Sequence, residues 1–167
     1  MNYADIKYND LANGVGLRTS LFVSGCPHHC LGCFSEPLWD YEFGNPFTKN
    51  EWEKIINSMD KYHSGISILG GDPLALKNVI ELLPFIKEFK EKCPDKNIWV
   101  YTGYIFEDLV NSNIYVDEFL LSIDVLVDGP FILNQKDLTL KFKGSSNQRI
   151  IDVQKSLKNN EVVLYME

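Results

Sequence analysis

The sequence predicts an α/β fold around a mostly parallel sheet, on three observations. Short apolar, β-branched runs alternate with amphipathic stretches of helical length. Each run ends in a loop rich in glycine, proline, aspartate or cysteine. No repeat, low-complexity tract or linker interrupts the 167 residues, so residues 1–167 read as a single domain with room for a sizeable core.

The elements follow in order. LRTSLFVS (17–24) reads as a buried strand, and a cysteine loop follows it directly. Thr48 with Glu51 three residues on fits a capping box, opening a helix over about residues 49–62. SGISILGGDP (64–73) reads as a strand closed by two glycines and a proline. A helix over about residues 76–92 follows, with Pro84 as a kink point. NIWVYTGY (97–104) is a third strand, IFEDLVN a short helix, and SIDVLVDGP (122–130) a fourth strand ending in a turn. The tail, with GSSNQR at 144–149 and EVVLYME at the end, has room for one or two more strands. Fewer than eight strands fit this scheme, so any barrel is partial and open-sided. In a parallel sheet the cysteine loop, GGDP, TGY and DGP would share the carboxyl rim, where α/β folds build their sites.

Composition narrows the function. Sixteen Lys and Arg against 23 Asp and Glu leave a net charge of −7, which argues against a nucleic-acid partner. The N-terminal MNYADIKYND is unlike a signal peptide, and no apolar run approaches the length of a membrane span. A cytoplasmic chain is expected, and in that reducing compartment close cysteines point to metal rather than to disulfides.

SGCPHHCLGCF places Cys26, Cys30 and Cys33 in one loop, with Cys93 far off at the end of a predicted helix. A structural zinc site wants four N or S ligands, and His28 or His29 would have to complete it. A [4Fe–4S] cluster takes one thiolate per iron, so three cysteines leave one iron open to a further ligand. The spacing favours the cluster; zinc, and three structural thiols, remain as alternatives. Beside the loop, Gly70, Gly71 and Asp72 form either a turn or a ligand cradle. Thr102 and Asp128 suit ribose, a cation or turn capping, and Asp124 shares the face of Asp128. For Arg18 we expect a structural ion pair. Arg149 suits either a carboxylate outside the chain, on a small ligand or on a partner protein, or a polar loop feeding a strand.

C-x3-C-x2-C followed by the aromatic Phe34, with GGDP ending the next strand, resembles the signature of the radical S-adenosylmethionine superfamily. Across nearly the whole chain, NGVGLRTSLFVSGCPHHCLGCF, GGDPL, VDGPF and GSSNQR resemble the glycyl-radical activases of anaerobic ribonucleoside-triphosphate reductases. The resemblance implies a partial, open-sided (β/α) barrel of the radical S-adenosylmethionine type. It implies that Cys26, Cys30 and Cys33 hold one [4Fe–4S] cluster and serve catalysis. It places S-adenosylmethionine against Gly32, Cys33, Phe34, Gly70, Gly71 and Asp72, with Phe34 at the adenine and Gly70–Asp72 at the ammonium. The implied activity is reductive cleavage of S-adenosylmethionine by an oxidoreductase. The resulting adenosyl radical would abstract a hydrogen from a glycine of the reductase large subunit. A low-potential donor such as flavodoxin would supply the electron. An activase of a formate-lyase type enzyme and a zinc-binding adaptor without catalysis are the competing readings. GSSNQR, with Arg149, is the expected docking segment.

Overall fold

The computed structural model describes residues 1–167. Eight strands, against the fewer than eight expected from the sequence, form one open sheet in the order β3-β1-β2-β4-β5-β6-β7-β8. Its centre is the set that the sequence predicts: β2 (Leu17–Val23), β4 (His63–Gly70), β5 (Asn97–Tyr101) and β6 (Val125–Asp128), each parallel to the next. Between them run α1 (Lys49–Ser58), α2 (Leu76–Lys92), α3 (Phe106–Leu109) and α4 (Ile114–Ser122). Successive crossovers of one hand, stepping one way along the sheet, put all these helices on the same face.

The expected barrel and the mostly parallel sheet are corrected by this topology. The sheet neither closes nor curls: β3 (Asn45–Pro46) and β8 (Leu164–Met166) are its two edges and do not meet. Both flanks are antiparallel. β1 (Asn2–Asp10) pairs with β2 and β3, while β7 (Arg149–Asp152) pairs with β6 and β8. The reason lies in the connections. A parallel neighbour needs a crossover over the sheet, usually a helix. Residues 11–16 are too few for one, and residues 129–148 contain only a three-residue 3-10 turn at Leu133–Gln135. The chain therefore turns back on itself at both ends.

Local boundaries follow local chemistry. The Glu51 carboxylate accepts the Thr48 amide N–H at 2.9 Å and its hydroxyl, so α1 starts as expected, but it ends at Ser58. α2 runs on through Pro84, and its Val79, Leu82, Phe85, Ile86 and Phe89 are wholly buried against the sheet. Burying each such side chain stabilises the fold by about 1.5–3 kcal/mol. α5 (Val153–Asn159) is capped by the Asp152 carboxylate, which accepts from the Lys155 amide. Cys93 ends α2 inside this same core.

The other face has no helices. Trp99, Val125, Val127 and Ile150 form a small second cluster there, covered by Phe142 and Met166. Loops cover the remainder, and at the carboxyl ends of the parallel strands they leave a cavity. No helix is long and apolar enough to cross a membrane.

Candidate functional site

The cavity holds about 370 Å³. Cys26, Cys30 and Cys33 line it, as do Phe34, Gly70, Gly71, Asp72, Thr102, Gly103 and Gly129. All four strand-end loops singled out from the sequence thus reach one space. The parallel order of β2, β4, β5 and β6 causes this, because it brings their carboxyl ends to one edge.

The cysteine loop leaves β2 through Gly25, whose φ of 99° is a left-handed conformation that favours glycine. Its amide donates to the Leu38 carbonyl at 2.8 Å, and a Cβ there would collide with the Tyr41 ring. His29 also takes positive φ, 51°, with its ring stacked on Trp39 at 4.4 Å. Gly32 follows at φ 76°, and the Cys33 amide closes a turn onto the Cys30 carbonyl at 3.1 Å. The loop is therefore shaped by its backbone, and all four cysteines of the chain are free.

Backbone dipoles point at two of the sulfurs. The Ser35 amide donates to Cys33 Sγ at 3.3 Å, and the His28 and His29 backbone amides lie near enough the Cys26 sulfur to favour its charged form. Burial pushes the Cys26 thiol up to about 11, with the His28 amide opposing and Asp72 reinforcing the shift. A cation at this sulfur would reverse that penalty. A donor set of thiols with amide N–H groups aimed at them, beside an open cavity, fits an iron–sulfur cluster.

The GGDP turn is bound to the cysteine loop by its backbone. The Gly71 amide donates to Val23 O and the Asp72 amide to Gly25 O, both at 2.7 Å. A Cβ on Gly71 would press into the Gly25 backbone, so the glycine is needed for this approach. Asn78, on the first turn of α2, was not singled out from sequence. Its buried amide donates to the carbonyls of Ser24, Gly25 and Asp72, at 3.1, 3.3 and 2.9 Å. Nothing in a lone Asn near a helix start signals that role.

The Asp72 carboxylate is buried and committed to the protein. Oδ1 accepts from the Leu74 amide at 2.8 Å and from the Thr102 hydroxyl at 2.9 Å. Oδ2 takes the Gly103 amide at 2.9 Å and stands 2.6 Å from His28 Nε2. The His28 ring also packs edge-on against Tyr104, at 4.4 Å between centroids. Thr102 therefore serves Asp72, and Asp72 joins three rim loops.

Phe34 lies at the mouth, 62% exposed, with Phe131 at 5.0 Å and the Lys136 ammonium over its ring. Lys143 is the single lysine or arginine on the cavity wall, also missed from sequence.

Two arginines depart from expectation. Arg18 is fully buried and has no carboxylate partner. It donates to Ser67 Oγ at 2.7 Å, to Val15 O at 3.0 Å and to Ile66 O at 2.7 Å, and packs on Trp99. Burial lowers its pKa to about 10. The expected ion pair is absent because the neighbouring acceptors are strand and loop carbonyls. Ser67 in turn donates to Asn13 O at 2.5 Å, and Asp10 accepts from Asn13 Nδ2 at 2.6 Å. This chain of bonds pins the loop of residues 11–16, whose Ala12 and Asn13 line the cavity. Arg149 is engaged as well. It forks onto buried Asp128 at 3.0 and 2.6 Å and reaches Glu107 at 2.6 and 3.2 Å, so its guanidinium is not free for docking. The rest of GSSNQR staples the DGP turn: Asn147 Nδ2 donates to Pro130 O and Gln148 Nε2 to Gly129 O.

Comparison with known proteins places this geometry. A family model described as a 4Fe-4S single cluster domain matches residues 12–151. The anaerobic ribonucleoside-triphosphate reductase-activating protein of Escherichia coli K12 is 42% identical over 151 residues, covering 89% of this chain and 96% of that protein. The chain belongs to this family. Its Pasteurella multocida member is 40% identical over 153 residues, covering 90% of this chain and 96% of the relative. The member from phage T4 is 38% identical over 153 residues, 90% of this chain and 93% of its own. The family's single-cluster match spans the cysteine loop and every other loop that lines the cavity.

Proposed function

We propose that this chain is a radical S-adenosylmethionine activase that installs a glycyl radical on an anaerobic ribonucleoside-triphosphate reductase. The observation that carries the proposal is the meeting of three thiols and the Gly70–Asp72 turn on one cavity, in a chain whose relatives are named as activators of that reductase. Cys26, Cys30 and Cys33 would hold a [4Fe–4S] cluster, one thiolate per iron, leaving one iron for the substrate. When bound, the cluster would supply the low-potential electron for reductive cleavage of S-adenosylmethionine, the chemistry that would lead to hydrogen abstraction from a reductase glycine.

The residues divide the remaining work. Amides of His28, His29 and Ser35 stabilise negative charge on the sulfurs. Backbone carbonyls at the end of β4 receive the substrate ammonium, since the Asp72 oxygens are already engaged. Asp72 acts by holding the cysteine, GGDP and TGY loops in register. Lys143 offers the opposite charge to the substrate carboxylate. Phe34, with Phe131 beside it, flanks the adenine and keeps water from the mouth. A donor of the flavodoxin class would deliver the electron.

The test is anaerobic reconstitution followed by addition of S-adenosylmethionine, a low-potential reductant and the reductase. We expect about four irons with matching sulfide, a glycyl-radical EPR signal on the reductase, and loss of both in Cys26→Ala, Cys30→Ala and Cys33→Ala. Cys93→Ala should retain both. Bound zinc in place of iron, or a cluster without any spin on the reductase, would overturn the reading.

A further inference from the structure

The cysteine loop contains a second arrangement of metal-binding atoms that differs from the three-thiol set. Cys26 Sγ, a His28 ring nitrogen and an Asp72 carboxylate oxygen all lie within 4.8 Å of one another, on the wall of the cavity. Two of the three come from a C-x-H step that puts both side chains on one side of the loop. The third is held still by hydrogen bonds from Leu74, Thr102 and Gly103. One sulfur, one imidazole nitrogen and one carboxylate oxygen form a mixed set suited to a borderline divalent ion such as Zn²⁺ or Fe²⁺.

We propose that the cluster-free chain binds a single divalent metal ion through Cys26, His28 and Asp72, with solvent from the cavity as the fourth ligand. Tetrahedral bonds of about 2.0–2.3 Å set neighbouring ligand atoms about 3.3–3.6 Å apart. The His28–Asp72 contact, now 2.6 Å, must open by about 0.7–1 Å as the ion enters. The Cys26 thiol proton leaves to solvent as the ion enters, and the ring proton between His28 and Asp72 passes to Nδ1, so that the imidazole binds neutral through Nε2. The Asp72 carboxylate keeps the Gly103 amide and the Thr102 hydroxyl, the outer hydrogen bonds that orient metal-binding carboxylates. Because Cys26 belongs to both arrangements, this ion and a three-cysteine cluster exclude each other. The site therefore either receives a first Fe²⁺ or, filled by Zn²⁺, holds the chain in a cluster-free state.

Co²⁺ titration of the chain freed of iron and sulfide tests this under argon. We expect one Co²⁺ per chain, tetrahedral visible bands and the sulfur charge-transfer intensity of one thiolate. His28→Gln and Asp72→Asn should each weaken binding by about tenfold or more, since losing a ligand exceeds the loss of an outer partner. The double variant Cys30→Ala/Cys33→Ala should bind Co²⁺ like the parent. One equivalent of Zn²⁺ should slow cluster assembly in the parent and slow it less in His28→Gln. Binding that requires Cys30 and Cys33 but ignores His28 and Asp72 would overturn the proposal, as would the absence of stoichiometric binding. Failure of the parent to assemble any cluster would instead strike the activase reading and leave this site standing.

Discussion

Arg149→Met should destabilise the chain by about 2–4 kcal/mol, an effect on folding rather than on docking. The guanidinium contacts two carboxylates of very different surroundings. Glu107 is 58% exposed, so its share is about 0–1 kcal/mol. Asp128 is 1% exposed and keeps only the Phe106 amide, at 2.8 Å, once Arg149 is gone. Stranding a buried carboxylate costs about 3–5 kcal/mol, reduced here because the arginine is itself 31% exposed and water can enter its space. Urea unfolding of the cluster-free chain, followed by tryptophan fluorescence, should show a midpoint about 1–2 M lower at an ordinary slope. Asp128→Asn retains an acceptor for the Phe106 amide, so the double variant should cost less than the sum of the singles, with coupling of about 2 kcal/mol. An unchanged midpoint in Arg149→Met, or strict additivity, would refute the reasoning. An unchanged midpoint with defective activation would restore Arg149 to the docking surface.

Two further substitutions probe the frame of the cavity. Asn78→Ala removes three hydrogen bonds between α2, the end of β2 and Asp72, and should cost about 1–3 kcal/mol, read as a lower urea midpoint with reduced iron uptake. Full stability and full iron content would show those bonds to be incidental. Gly71→Val should lower iron content together with S-adenosylmethionine affinity, because the new side chain must displace the Gly25 backbone that starts the cysteine loop. An iron-replete variant that binds the substrate normally would refute that coupling.

Much of the site was legible because its residues sit where local signals are strongest. Each rim loop follows a run of apolar, β-branched residues, and helices long enough to cross the sheet separate those runs. That order alone brings the cysteine loop and GGDP to one edge. What escaped has physical causes. β1 is half solvated, and its NYADIKYND alternates without a strong apolar face. α4 is apolar on its exposed face as well as its buried one: Ile114, Tyr115 and Leu121 face solvent while Val116, Phe119 and Leu120 are buried, so no polar stripe marks the helix. Asn78, Lys143 and the His28–Asp72 pair depend on partners far along the chain.

The sequence by itself determined the parallel core, the limits of α2, the capping of α1 and the grouping of Cys26, Cys30, Cys33, Gly70 and Gly71 at one rim. These rest on periodicity, caps and short spacings, which act within a few residues. Only the tertiary structure decided that the sheet stays open, with β1 and β7 antiparallel to β2 and β6 because no crossover helix joins those pairs. It also decided where each buried charge ends: Arg18 among carbonyls, Arg149 on Asp128, Asp72 across three loops. A charged side chain finds its partner through space, across strands and loops distant in sequence, and no pattern of neighbours along the chain encodes that choice.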